Sequence, residues 1–279
     1  MLIDTHCHLN FKTFAKNIDK VINGAKKAGV KKIVVPGTNL DSSQKAIELT
    51  QKHNNIYASV GIHPHHCLEI RNSCLAGRQA KHEIRNQLQR LIRTEKVVAI
   101  GECGLDYYHY QKTKYDNYKI DKNFKRVQKE IFELQIKLAY DFNLPLIIHN
   151  REASDDMLDI LNTKYKILNT ISGVFHCFMG NNKLLTWALK HNFYIGINGL
   201  VTYNQTVQEI AKQVPLEKIL IETDSPFLTP EPLRSQKSFP NKPENVKIVA
   251  AKIATIKGDS FLKVAEQTTK NALQLFKLD

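Results

Sequence analysis

The sequence predicts an α/β fold, a single (β/α)₈ TIM barrel. Three observations predict it: short β-branched apolar runs recur along the chain, stretches of helical periodicity separate them, and 279 residues suit the roughly 250 of such a barrel. The runs fall at 2–3, 33–35, 56–60, 97–100, 146–148, 173–175, 193–197 and 219–221, making eight candidate strands. Between them, Phe124, Val127, Ile131, Leu134 and Leu138 are spaced three and four apart, which lines one face of a helix with apolar groups. Ile18, Val21, Ile22 and Ala25 form a shorter stripe with Gly29 as its stop, and a further helix is opened by Asp41 or Ser42 as a cap. Parallel strands joined by helices need right-handed crossovers, and eight such units close naturally into a barrel. A doubly wound open sheet would carry a glycine-rich phosphate turn after its first strand, where this chain reads DTHCHLN. No repeat, low-complexity stretch or linker divides the chain, so one domain is expected over 1–279.

Two stretches exceed a minimal barrel. One, at 109–129, is dense in Tyr, Lys and Arg; the other, at 229–245, contains four prolines. Both are expected as loops at the C-terminal face, where a barrel of this kind builds its active site.

Composition narrows the class. No apolar run approaches the roughly 18 to 20 residues of a membrane span, and the opening MLIDTHCHLN has neither a basic nor an apolar signal region, so the expected address is the cytoplasm with no membrane partner. The five cysteines, Cys7, Cys67, Cys74, Cys103 and Cys177, follow no zinc-ribbon or redox spacing and are expected as reduced thiols. A formal charge of +13 favours polyanions such as nucleic acid, although solvated lysine-rich faces would give the same number. Nothing in the sequence points to an obligate protein partner.

The chemistry lies at strand ends. His6 and His8 follow the first run as His-x-His, and residues two apart in an extended chain share a side. Glu102 comes after the fourth run, His149 after the fifth, His176 after the sixth and Asp224 after the eighth. Each alone has an ordinary reading, such as a lysine partner for Glu102 or an Asx turn for Asp224. Together they would leave several polar groups buried at one mouth without partners, and bound cations are the usual remedy. Imidazole mixed with carboxylate and no thiolate suits hydrolytic Zn²⁺, Mn²⁺ or Fe²⁺, whereas Mg²⁺ prefers more oxygen. With His6, His8 and Asp224 on one side and His149 and His176 on the other, Glu102 is the natural bridge between two divalent ions. Cys7, Cys103 and Cys177 alternate with ligands and are expected to turn away as small core hydrophobes.

These residues sit in stretches that resemble the TatD family of metal-dependent deoxyribonucleases, within the amidohydrolase-like barrels: IDTHCHLN at the start, VGIHPHH at 60–66, AIGECGLDYY at 99–108, LPLIIHNREA at 144–153, FHCFMG at 175–180 and IETDSPFLTP at 221–230. The resemblance touches nearly every strand end. It implies that His6, His8, Glu102 and Asp224 gather one metal, that Glu102, His149 and His176 gather a second, and that Mg²⁺ or Mn²⁺ supports cleavage of DNA, often from the 3′ end or in single strands. One departure follows Asp224. Where such proteins carry an Arg-Asn-Glu-Pro-like run, this chain reads PLRSQKSFPNKPENV, keeping Asn241 and Pro243 and leaving Arg234, Lys237 or Lys242 to replace the arginine.

The expected mechanism is attack on phosphorus by a metal-activated water, with Asp224 as proton acceptor and Glu102 as bridge. His63, before Pro64, is placed to hold a phosphate oxygen or protonate the leaving group, or is a solvated neighbour of His65 and His66. Arg151 offers a planar fork for phosphate. Tyr107, Tyr108, Tyr110 and Tyr203 offer stacking faces, with Lys112 and Lys114 along a backbone, and Trp187 belongs to the core. Two other classes share this ligand set. A small-molecule amidohydrolase or lactonase often uses a carboxylated lysine as bridge, where this chain has Glu102; a non-catalytic binding protein would keep costly polar groups idle.

Overall fold

The computed structural model describes residues 1–71, 77–113, 115, 118–164 and 170–278. Its centre is a sheet of eight parallel strands in sequential order: β1 Leu2–Asp4, β2 Val30–Pro36, β3 Ile56–Val60, β4 Val97–Asp106, β5 Leu146–Arg151, β6 Gly173–Phe175, β7 Tyr194–Ile197 and β8 Ile219–Ile221. The last strand returns to the first through the Thr5 N–H donating to Ile221 O at 3.2 Å and a parallel bridge between Cys7 and Ser225. The sheet is thereby the expected (β/α)₈ barrel.

Period-two alternation sorts the strand residues into two cores. Ile3, Val34, Tyr57, Val98, Ile147, Val174, Tyr194 and Leu220 fill the barrel, while Ile33, Val35, Ile56, Ile100, Ile148, Phe175 and Ile221 face the helices. Ala272, Leu275 and Phe276 of the last helix, Phe261–Phe276, pack into the inner cluster. Both faces of each strand are covered, which is why the runs read as continuous apolar sequence.

Local chemistry sets the helix ends. The helix Leu40–Lys52 is capped by Asn39, whose side chain accepts from Ser42 N, two residues before the Asp41 and three before the Ser42 expected from sequence. The helix Lys122–Phe142 begins where Asp121 accepts the Phe124 N–H at 2.7 Å. The stretch 109–129 is therefore loop only up to 121; its remainder is the first two turns of this helix, because Asp121 supplies the cap. Trp187 is core as expected, 7% exposed with its N–H donated to Asn162. Cys7, Cys67, Cys103 and Cys177 are free thiols; Cys74 lies outside the described residues. Among the described residues no helix is long and apolar enough to cross a membrane.

Candidate metal centre

The six residues singled out by strand position meet at the C-terminal mouth of the barrel. His6 and His8 stand just beyond β1. Ile3 faces inward and Cys7, of the same parity, faces the helices, so the alternation changes phase where the strand ends at Asp4. Glu102 lies inside β4 and not after it, since that strand continues past the 97–100 run through six more buried residues, GECGLD, of which Glu102 is the second. His149 is likewise inside β5, whereas His176 and Asp224 follow β6 and β8.

Glu102 is the hub, and its two oxygens face different partners. Oε2 lies 3.5 Å from His6 Nε2 and 3.7 Å from His8 Nε2; Oε1 lies 3.0 Å from His149 Nδ1, 3.2 Å from His176 Nε2 and 3.3 Å from His63 Nε2. Asp224 Oδ1 completes the first set at 3.4 Å from His8 Nε2 and 3.8 Å from His6 Nε2. The ring nitrogens of His6 and His8 face each other at 3.2 Å. Donors about 2.1 Å from one ion sit about 3.4 Å apart at tetrahedral angles and about 3.0 Å at octahedral ones. The separations among His6, His8, Glu102 and Asp224 match, so these donors fit a divalent cation.

The backing of each histidine assigns its role. His149 Nε2 lies 3.0 Å from Asp106 Oδ2 and His176 Nδ1 lies 3.3 Å from Glu222 Oε1. A carboxylate behind a ring draws the proton to that nitrogen and frees the other as a ligand. His63 is the opposite case, because its Nδ1 accepts the His65 N–H at 3.1 Å. A backbone amide can only donate, so the neutral ring carries its proton on Nε2 and gives it to Glu102. Although His63, Glu102 and His149 also lie at metal-binding distance, His63 is thereby a donor and not a ligand.

Charge follows the same division. Burial would raise Glu102, but His63, His176 and His149 outweigh it and hold its carboxyl well below the usual range. Burial also opposes charge on His149, yet bonds to Asp106 and Glu102 push it up to about 9, and Glu102 and Glu222 raise His176 likewise. Burial lowers His6, reinforced by the charge of His176, and burial lowers His63. Without a cation, protons on His149 and His176 balance the carboxylates; a divalent ion takes over that task. Among the described residues, the buried Nδ1 atoms of His6, His8 and His176 have no hydrogen-bond partner.

Asp106 and Glu222 are absent from the residues selected by sequence. Two steps of two onward from Glu102 reach Asp106, and one such step back from Asp224 reaches Glu222. Asp106 also accepts from Tyr110 Oη at 2.8 Å, and Tyr110 Oη accepts from Arg151 Nη1 at 3.0 Å. Arg151 stacks 3.6 Å over the ring of Tyr108. This chain of contacts joins an exposed guanidinium to the ring of His149. Tyr107 is tied to Asp156 at 2.6 Å. Tyr203 carries Arg234 over its ring at 4.2 Å, and neither makes a contact with the six residues among the described ones. Lys114 lies outside the described residues. Of the three cysteines, Cys7 and Cys103 pack in the outer core, but Cys177 is only half-buried and belongs to neither core, since a left-handed backbone (φ 46°) turns the chain at that point.

The altered loop after Asp224 is anchored by Asn241. Fully buried, it donates to Thr223 O at 3.0 Å and accepts from Asn245.

Comparison with known proteins matches the chain along its whole length. A family model described as TatD related DNase matches residues 3–277. The chain is 38% identical over the full length of both proteins to YabD of Bacillus subtilis, named an uncharacterized metal-dependent hydrolase. It is 33% identical to a 3′-5′ ssDNA/RNA exonuclease TatD of Erwinia amylovora, covering 99% of this chain and 100% of that one. The crystal structure of YjjV, a TatD homologue from Escherichia coli, superposes with a TM-score of 0.83 at 28% identity, over 100% of this chain and 98% of that one. Matched from end to end in sequence and in fold, the chain belongs to the TatD-related DNase family of metal-dependent hydrolases.

Proposed function

We propose that the chain hydrolyses phosphodiester bonds of single-stranded nucleic acid, DNA foremost, with two divalent ions bridged by Glu102. The observation that carries this reading is the division of the Glu102 carboxylate between two donor sets, since paired ions are suited to hold both the attacking and the leaving oxygen of an in-line displacement. The exonuclease name of the Erwinia relative and the charge of +13 support a nucleic-acid substrate.

His6, His8 and Asp224 would hold one ion with Glu102, and His149 and His176 would hold the other. When bound, the ions supply Lewis acidity, acidifying water and neutralising phosphoryl charge. Asp224 accepts the proton of the attacking water at a carboxylate oxygen. Burial raises its carboxyl, but the bond to His8 and the charges of His176, His6 and His8 hold it below the usual range, so it is ionised at neutral pH. His63 donates its Nε2 proton to a phosphate oxygen or the departing hydroxyl, a role its fixed tautomer allows. Arg151, with Tyr108 behind its plane, clamps a neighbouring phosphate.

The test is incubation of the protein with single-stranded and duplex oligodeoxynucleotides, with and without chelator, beside Glu102→Ala and Asp224→Ala. Chelator-sensitive cleavage by wild type, and its loss in both variants, is expected. Absence of cleavage together with hydrolysis of an ester or amide panel would overturn the reading.

A further inference from the structure

The mechanism leaves one flank of the site without a task. Phe227 follows Asp224 by three residues, is 51% exposed, and is tied to it by its N–H donating to Asp224 O at 2.9 Å. A single exposed phenylalanine is ordinary. What sets this one apart is its company: Phe11 stacks on the imidazole of His8 at 4.4 Å and 17°, and Phe227 stands edge-on to both, at 6.2 Å from Phe11 and 6.3 Å from His8. His8, Phe11 and Phe227 thus form one aromatic wall running from the metal centre to solvent.

The other flank differs in kind. There Arg151 is exposed and has no carboxylate within ion-pair distance among the described residues, and its partners are the rings of Tyr108 and Tyr110. A substrate that satisfies both flanks carries anionic charge on one side of the reacting group and a flat, apolar, unsaturated ring on the other. A nucleotide with an unpaired base has this form.

We infer that Phe227, backed by Phe11, is the platform that receives the face of an unpaired nucleobase next to the scissile phosphate. The inference rests on the nuclease reading and names what that site recognises. It also supplies a reason for strand choice. In a duplex both faces of a base are covered by stacked neighbours, so a lateral aromatic wall gains contact only with a base that is free to leave the stack. Stacking is indifferent to base identity, so the platform selects strandedness and not sequence.

The test crosses an enzyme change with a substrate change. Initial rates are measured for wild type, Phe227→Ala and Phe227→Trp on a single-stranded oligodeoxynucleotide and on a strand of the same length built from abasic tetrahydrofuran residues. Phe227→Ala raises KM on the normal strand about 5- to 100-fold with kcat little changed, and Phe227→Trp keeps KM near the wild-type value. On the abasic strand wild type and Phe227→Ala have the same KM, because the partner of the ring is already gone. Equal impairment of Phe227→Ala on both strands, or no impairment on either, overturns the platform while leaving the nuclease reading intact. If wild type cleaves neither strand, the nuclease reading fails first, and the platform with it.

Discussion

Replacing Glu222 by glutamine isolates the role of a carboxylate that touches no reacting group. Glu222 is fully buried, and its Oε1 accepts the Cys177 N–H at 2.7 Å while facing His176 Nδ1 at 3.3 Å. The carboxylate favours a proton on Nδ1, so that the ring, once neutral, turns the Nε2 lone pair toward Glu102, 3.2 Å away. Glutamine has almost the same shape and retains an oxygen for Cys177. What it loses is the charge that orients and strengthens the ring. Removing such a partner costs about 10- to 100-fold in metal affinity, or about 1.4 to 2.7 kcal/mol. Stability of the metal-free fold should fall as well, because there Glu222 raises His176, and removing one partner of a buried pair leaves the other uncompensated. Competition titration of Mn²⁺ or Zn²⁺ against a chromogenic chelator measures the first effect, and thermal unfolding in excess chelator the second. Asp106→Asn is the parallel change behind His149. If Glu222→Gln binds both ions as tightly as wild type, the argument from the distal nitrogen is wrong.

Two further outcomes follow from the surrounding frame. Gly104 has φ +138°, and a Cβ there would fall against the carbonyl of His149, its partner in the β4–β5 register. Gly104→Ala is therefore expected to lower unfolding stability by about 3 kcal/mol and to weaken metal binding on the His149 side; an unchanged denaturant midpoint would refute this. Asp156 receives Lys129 Nζ at 2.7 Å and Tyr107 Oη at 2.6 Å, and these outweigh burial to hold its carboxyl below the usual range. Its contribution is present above the unfolded carboxyl pKa and is lost as pH falls through the lower folded value. Solvent screens the pair, so Asp156→Asn should cost at most about 1 kcal/mol at pH 7, a difference that vanishes in acid. A cost that persists undiminished at low pH would count against the pairing.

The barrel was legible because a parallel sheet covered on both faces tolerates little but apolar residues, so each strand is written as a run. The same reasoning failed where polar residues continue a strand. Hydrophobicity ends β4 at Ile100, yet the strand runs to Asp106 with every residue buried, because the polar groups of Glu102 and Asp106 are satisfied by side chains across the mouth. Asp106 and Glu222 were within reach of simple alternation from Glu102 and Asp224. Their partners were not, since pairing Asp106 with His149 depends on the β4–β5 register, which shifts between Ile100 and Cys103. The stack of Arg151 on Tyr108 has the same origin, because the register sets Asp106 opposite Arg151.

Three histidines crowd one oxygen of Glu102 at 3.0 to 3.3 Å, and distance alone does not separate them. The separation comes from the far side of each ring. Asp106 and Glu222 face the far nitrogens of His149 and His176 and favour a proton there, so each ring, once neutral, offers its near nitrogen as a lone pair, whereas the His65 amide donates to His63 and makes its near nitrogen an N–H. One oxygen can therefore meet two rings able to offer a lone pair and one hydrogen-bond donor at nearly equal range. A cation held by either of the first two would lie beside a proton that the third can give to an oxygen on the same side of the site. The division around a single carboxylate is set from behind the rings, so a change behind any of the three would act on the chemistry in front of it.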